Sequence, residues 1–436
     1  MSKQMASQNY TQPLAVLTSL FFMWGLITSL NDILIPHMKA IFDLSFVQAA
    51  LIQFSFFTAY FVMSFPSGYL VEKVGYKQGI VIGLVVAGVG CLLFYPAASV
   101  RSYPFFLAAL FILASGITLL QVAANPYVTL LGQPETASSR LNLTQAFNSL
   151  GTAVGPLLGS VLILSVAIKS ADEMKALSPE QLAAYTANEA ASVQTPYLIL
   201  AGVLFTIAVV FALLKLPAIR DSAAGAAEAQ PERPLAQPHD SVWGYRHLVL
   251  GALGIFVYVG AEVSIGSFLV SLMEQPEIAG LTSEAAGKYL AIYWTGAMIG
   301  RFIGGVLMRW IRPGHMLAFN ALMNAALIAL AMGAGGKAAM WALIAIGLFN
   351  SIMFPTIFSL ALEGLGKFTS EGSGVLCMAI VGGALVPLVQ AFFADRIGLL
   401  YSFAVPLLCY LYIVYYGARG HNPDYGAAPA PAAAKR

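Results

Sequence analysis

Twelve stretches of this chain are each long and apolar enough to cross a lipid bilayer as a helix, and that pattern excludes almost every soluble fold. A spanning helix needs about 20 mostly apolar residues, because the bilayer core is about 30 Å thick and a helical residue rises about 1.5 Å. The runs fall at 13–37, 46–71, 78–98, 103–131, 140–167, 194–215, 246–273, 286–309, 315–334, 338–362, 372–394 and 397–417. Backbone polar groups find no water at that depth, so each crossing closes its hydrogen bonds within a helix. The composition agrees. Hydrophobic residues fill 59% of 436 positions and charged residues 10%, against about 25% charged in soluble domains. The first run is too long for a cleavable leader and is read as a retained span.

The same numbers limit the function. A formal net charge of +2, without a clustered basic surface, argues against a nucleic-acid partner. Cys91, Cys377 and Cys409 lie in apolar runs with no metal-ligand spacing, and read as buried free thiols. No nucleophile–base pair or metal cluster is legible, so an enzyme, a metal site and a resident cofactor are not expected.

Two polar segments break the rhythm. Residues 168–193 are helix-prone and are expected to form an external amphipathic loop. Residues 216–245, rich in Ala, Pro and charge, read as a linker between a six-helix half at 1–215 and a second at 246–417, with a disordered tail at 418–436. Placing both termini inside puts fourteen lysines and arginines in the cytoplasm and seven outside, which sets the orientation. The halves echo each other, a mark of transporters built from repeats. Gln121 precedes Pro126 in span four as Asn350 precedes Pro355 in span ten. Gly151, Gly155 and Pro156 in span five match Gly382, Gly383 and Pro387 in span eleven. The expected fold is an all-α membrane protein, two pseudo-symmetric halves of six helices.

The turn GYLVEKVGYK carries Gly68, Glu72, Lys73, Gly75 and Lys77, and span eight ends in a weaker copy, GRFIGGVLMRW, with Arg301 and Gly304. This turn resembles the cytoplasmic loop motif of the major facilitator superfamily. The resemblance implies two six-helix bundles around a central cavity that works by alternating access. These residues, with Arg140, are then expected to act in the loops and gate.

Ionisable groups inside a span are functional candidates by default. Two acids stand there: Asp32 in span one and Glu262 near the middle of span seven, counterparts in the repeat. Arg301 is the one basic residue at comparable depth. Either acid is read as binding a proton or sodium ion, or as accepting hydrogen bonds from substrate hydroxyls; the plain alternative is a structural ion pair. Neutral polar residues form stripes at helical spacing: Thr28, Asn31 and Asp32; Gln121 and Asn125; Asn142, Gln145, Asn148, Ser149 and Thr152. Amides donate and accept, which suits sugar hydroxyls, although Asn and Gln also join membrane helices to one another. Asn350 and Gln53 extend the set. Tyr258, Tyr293, Trp294 and Phe354 are candidates to stack on a sugar ring, and the row Gly151, Gly155, Gly159 reads as close helix packing. Pro126 and Pro355 are expected to kink their helices.

Five segments together, LNDIL (30–34), QVAANPYVTLLG (121–132), RLNLTQAFNSLGT (140–152), SVQTPY (192–197) and FPTIFSLAL (354–362), resemble the fucose–galactose–glucose:proton symporter family. The resemblance implies that Asp32 is a coupling acid and that Gln145 and Asn148 bind sugar. Fucose-type members carry a glutamate where this chain has Gln121, and a glutamine where it has Glu262. The segment YVGAEVSIGSFLV (258–270) is similar to the bacterial glucose/galactose branch. The expected activity is therefore symport of a neutral hexose, glucose or galactose, with a proton, or alternatively sodium, coupled through Asp32 and Glu262. Gln121, Gln145, Asn148, Asn31, Asn125, Asn350 and Trp294 are the expected sugar contacts. Alternatives are a fucose:proton symporter or a drug or metabolite antiporter of the same superfamily. The implied setting is a monomer in the lipid bilayer of a bacterial inner membrane.

Overall fold

In the computed structural model the described residues are 10–42, 46–100, 102–162, 177–214, 216 and 239–423; the side chains at 30–42, 46–50, 156–162, 179, 182–184, 186–193 and 283 lie outside that description. Every element within it is helical. The first half comprises α1 (Thr11–Phe42), α2 (Phe46–Val74), α3 (Tyr76–Val100), α4 (Tyr103–Leu130), α5 (Ala137–Leu162) and α6 (Pro179–Leu213). The second begins with α7 (Arg246–Glu274), α8 (Ser283–Leu307) and α9 (Pro313–Ala334). Its last three spans are interrupted: α10 (Gly336–Asn350) runs on into α11 (Met353–Ala361), α12 (Thr369–Met378) into α13 (Gly382–Ile397), and α14 (Leu399–Ser402) into α15 (Ala404–Tyr415). Eleven of these stretches are long and apolar enough to cross a membrane. The twelfth, α5, is the most polar of the long helices because it carries the amide and hydroxyl stripe. The tail beyond 423 and the linker between 217 and 238 lie outside the described residues.

The sixth helix corrects the sequence reading. It starts at Pro179, not near 194, so much of the segment expected as a loop is helix. Ser178 and Gln181 explain the start, since each side chain bonds the other's backbone N–H in a reciprocal capping box.

Within each half the helices approach closely enough to exclude a side chain. A Cβ on Gly151 of α5 would overlap the Phe22 carbonyl oxygen of α1, and one on Gly25 would overlap the Asn148 carbonyl oxygen. The second half repeats the device: a Cβ on Gly382 of α13 would collide with the Phe256 carbonyl oxygen of α7. Likewise Gly347 of α10 lies against the Tyr293 carbonyl of α8. Small residues replace the missing hydrophobic drive between helices in lipid, because they let backbones touch. Gly75, at φ 83° between α2 and α3, takes the left-handed conformation that this tight turn needs.

The two repeat prolines act differently from one another. The α4 helix continues through Pro126 without a break, whereas the tenth span opens at Ser351 and Ile352, just before Pro355. In both cases the missing N–H leaves free the carbonyl four residues earlier. Those two carbonyls belong to Val122 and Ser351, and both are taken by groups that matter to the site.

Candidate functional site

Among the described residues the halves are joined by hydrogen bonds at the end bearing the α2–α3 turn and residues 239–245. Ser138 of α5 lies 2.6 Å from Ser359 of α11, and Ser139 donates to the Gly305 carbonyl of α8 at 2.5 Å. Asn142 donates to Thr356 Oγ1 at 3.1 Å. Ser373 of α12 donates to the freed Val122 carbonyl of α4 at 2.8 Å. A Cβ on Gly68 of α2 would come within 2.9 Å of the Ser370 carbonyl oxygen. These contacts form a closed seam. Above it, towards the opposite end, the halves part around a cavity of about 440 Å³, inside the size range of small-ligand pockets.

The cavity wall draws on both halves. From the first half come Trp24 and Thr28 (α1), Ile52, Gln53, Phe56, Phe57 and Tyr60 (α2), Leu110 and Gln121 (α4), and Asn148 (α5). The second half contributes Val263, Gly266 and Ser267 (α7) and Trp294 (α8). Trp294 is 45% exposed, and its ring stands so close to Gly266 that a Cβ there would come within 3.2 Å of it. The result is a pocket of aromatic faces with a few uncharged hydrogen-bonding groups. Trp24 was missed in the sequence, although it lies one turn before Thr28 and so extends the stripe already visible there; Phe56, Phe57, Tyr60 and Ser267 carry no comparable signal.

The expected site residues separate into groups. Gln121, Asn148 and Trp294 reach the cavity. Asn148 Nδ2 also donates to the Phe21 carbonyl at 3.0 Å, which fixes its amide. Gln145 and Asn125 are buried just behind, bonded to each other at 3.3 Å. Asn350 is elsewhere. It is fully buried, its amide nitrogen donates to Tyr293 Oη at 2.9 Å, and its Oδ1 accepts from Asn324 at 3.2 Å and Tyr410 at 2.7 Å. It therefore fastens α8, α9, α10 and α15, and it does not line this cavity. Tyr258 and Tyr293, candidates to stack on sugar, are likewise fully buried with their hydroxyls committed to this knot. Phe354 packs on Phe358.

Glu262 stands on α7 beside Val263 and one turn before Gly266. Its Oε1 accepts from Tyr258 Oη at 2.8 Å, and Arg301 Nη2 lies 3.9 Å away. The Arg301 guanidinium also donates from Nε to the Ser351 carbonyl at 2.8 Å, the second carbonyl freed by a proline, and from Nη1 to Ser149 Oγ of the other half. Both members of the pair are nearly enclosed, at 14% and 16% side-chain exposure. Arg301 thus bridges the two halves and is also the counter-charge of Glu262. The side chains of Asn31 and Asp32, within α1, lie outside the described residues.

The loop residues are structural neighbours of the seam. Lys73 lies over the Tyr69 ring at 4.2 Å, and Lys77 donates to the Ala212 carbonyl of α6 at 2.8 Å. Glu72 follows Tyr69 and Val71 at the end of α2, before the Gly75 turn. Arg140 bonds the carbonyls of Val128, Thr129 and Gln133, and Thr136 Oγ1. It thereby satisfies the carbonyls that α4 leaves open at its end, a favourable place for a cation.

Two six-helix halves around a polar cavity, sealed at one end, define a transporter of the major facilitator type. The sequence model described as Major Facilitator Superfamily matches residues 17–387. The chain is 55% identical over 416 residues to a glucose/galactose transporter of Brucella abortus biovar 1 (strain 9-941), covering 95% of both chains. It is 50% identical to a putative glucose/galactose transporter of Helicobacter pylori (strain J99 / ATCC 700824), covering 96% of this chain and 99% of that one. A crystal structure of a variant of the E. coli fucose:proton symporter superposes with a TM-score of 0.85 at 37% identity, covering 94% of this chain and 99% of that one. The chain belongs to the major facilitator superfamily, within the family of bacterial glucose/galactose transporters and fucose:proton symporters.

Proposed function

We propose that this chain is a secondary active sugar transporter that carries a neutral hexose, glucose or galactose, together with a proton by alternating access. The observation that carries this reading is the cavity between the halves. Uncharged amides, Gln121 and Asn148, face aromatic rings across it, and Glu262 stands beside its wall. Amides pair with sugar hydroxyls in both directions, and indole and phenyl faces cover the apolar face of a pyranose ring. A drug exporter would call for a more apolar or a charged wall. Glu262 and Asp32 are the acids assigned to coupling, with sodium the other ion a buried carboxylate can hold.

In this reading the sealed end with the linker faces the cytoplasm, both termini lie there, and the cavity opens outward in a bacterial inner membrane. The transporter acts as a monomer, because the cavity is complete within one chain.

Uptake of labelled glucose, galactose and fucose into vesicles, under an imposed proton or sodium gradient, tests the proposal. Accumulation of glucose or galactose under a proton gradient is expected. Accumulation of fucose alone reassigns the sugar, and dependence on sodium reassigns the ion. No accumulation of any hexose under either gradient overturns the reading.

A further inference from the structure

The surroundings of Glu262 hold one hydroxyl with two acceptors. Tyr258 Oη lies 2.8 Å from Glu262 Oε1 and 3.2 Å from the Asn350 carbonyl oxygen, and its single proton serves one of them at a time. An ionised carboxylate only accepts, so Tyr258 then donates to Glu262. A protonated Glu262 donates instead, Tyr258 turns its own proton to the Asn350 carbonyl, and no hydrogen bond is lost. What disappears is the negative charge opposite Arg301.

The groups packed around this point come from five helices: Tyr258 on α7, Tyr293 and Arg301 on α8, Asn350 on α10, Tyr410 on α15 and Ser149 on α5. Arg301 is the charged partner of Glu262 among the described residues. A guanidinium this enclosed is unfavourable without a counter-charge. Its remaining bonds are the Ser351 carbonyl in its own half and Ser149 Oγ in the other.

We infer that Arg301 is a positioning residue that reports the protonation of Glu262 to the seam between the halves. With Glu262 ionised, the guanidinium is anchored and ties α8 to α5, so the linker end stays shut. Proton binding at Glu262 removes the anchor, and the tie to Ser149 loosens. The returning empty carrier, with Glu262 ionised again, re-forms the tie and closes the same end. This inference rests on the proposed sugar:proton symport and adds the part that links the ion site to the gate.

Cys377 supplies a native reporter. It is buried, and its Sγ lies 3.9 Å from Gln121 Oε1 across the seam. Opening the seam exposes it to a membrane-permeant maleimide. The test uses the full chain in proteoliposomes without sugar, with Cys91→Ala and Cys409→Ala so that only Cys377 is labelled. Because maleimide reacts with the thiolate, each rate is divided by that of the same thiol in the denatured protein at the same pH, and labelling so corrected is expected to be faster at acidic than at alkaline pH. In Ser149→Ala, which leaves Glu262 and Arg301 in place, it becomes fast at both, with a gain at alkaline pH of about tenfold, the size of a lost charge-assisted hydrogen bond. Glu262→Gln and Arg301→Gln give the same result, and Ser149→Thr, which restores the hydroxyl, returns the pH dependence. A merely structural serine would not produce that rescue. Slow labelling of Ser149→Ala with an unchanged pH dependence overturns the inference. Exchange of labelled for unlabelled hexose by the same proteoliposomes separates the two levels. No exchange by the parent protein defeats the transport reading, whereas exchange with pH-independent labelling defeats only the tie.

Discussion

Ser373 donates to the Val122 carbonyl at 2.8 Å across the seam, and Val122 has that carbonyl to spare because Pro126 offers it no N–H. A proline in one half thus creates an acceptor that a serine of the other half fills. Replacing Pro126 with Ala supplies a local N–H to compete for the carbonyl. A hydrogen bond of this kind contributes about 1 kcal/mol, so the closed seam should weaken by roughly fivefold. Faster maleimide labelling of Cys377 in Pro126→Ala, matched by Ser373→Ala, is the expected result; identical rates in parent and variants would remove this bond from the gate.

Gln121 is expected to touch the sugar. Truncation to Ala removes one or two neutral hydrogen bonds, each worth about 0.5–1.5 kcal/mol. The half-saturation of hexose exchange should rise by roughly 2- to 150-fold, with the maximal rate less affected. A half-saturation equal to that of the parent protein would place Gln121 outside the contact.

Trp294 and Trp310 make an internal comparison. Trp294 lines the cavity, while Trp310 is 75% exposed at the linker-end turn after α8. Trp294→Ala should weaken hexose binding by about 1 kcal/mol or more, the scale of a stacked aromatic, and Trp310→Ala should leave it unchanged. Equal effects in a binding titration would argue against stacking.

Asn350→Ala should lower the melting temperature in detergent without changing the sugar half-saturation of the protein that survives. Three side-chain bonds disappear and buried hydroxyls lose partners, a loss of about 3 kcal/mol at about 1 kcal/mol per bond. A shifted half-saturation with unchanged melting would return Asn350 to the substrate site.

Gly151→Ala should be poorly tolerated, because its Cβ would overlap a carbonyl oxygen and backbone cannot step aside. Gly202→Ala, with nothing within 4 Å, is the matched control and should be neutral or slightly stabilising. Comparable yield and melting of both variants would contradict the packing described for α1 and α5.

The bundle and its two halves were legible in the sequence because hydropathy reports lipid contact directly, over runs of about 20 residues. The start of α6 was not, because a polar amphipathic segment reads alike as a loop or as a helix until the capping box at Ser178 is noticed. The site was partly legible. Asn148 and Asn350 are both amides inside spans, yet one faces the cavity and the other ties four helices together; the sequence carries no sign of which neighbour an amide meets. Arg301 was visible as an echo of the α2–α3 motif. Its bond to the Ser351 carbonyl follows from Pro355 only once α8 and α10 are known to touch.

The glycine contacts inside each half have a mechanical consequence. Where backbone meets backbone at α1 with α5 and at α7 with α13, nothing soft remains to be compressed, so each half behaves as a stiff block. The seam has such contacts only where α2 meets α12, at Gly68 and Gly374 among the described residues, and its other ties are single hydroxyls, one amide and one guanidinium that water replaces readily. Deformation is therefore confined to the replaceable bonds, and the turnover rate is set by how few of them must break together.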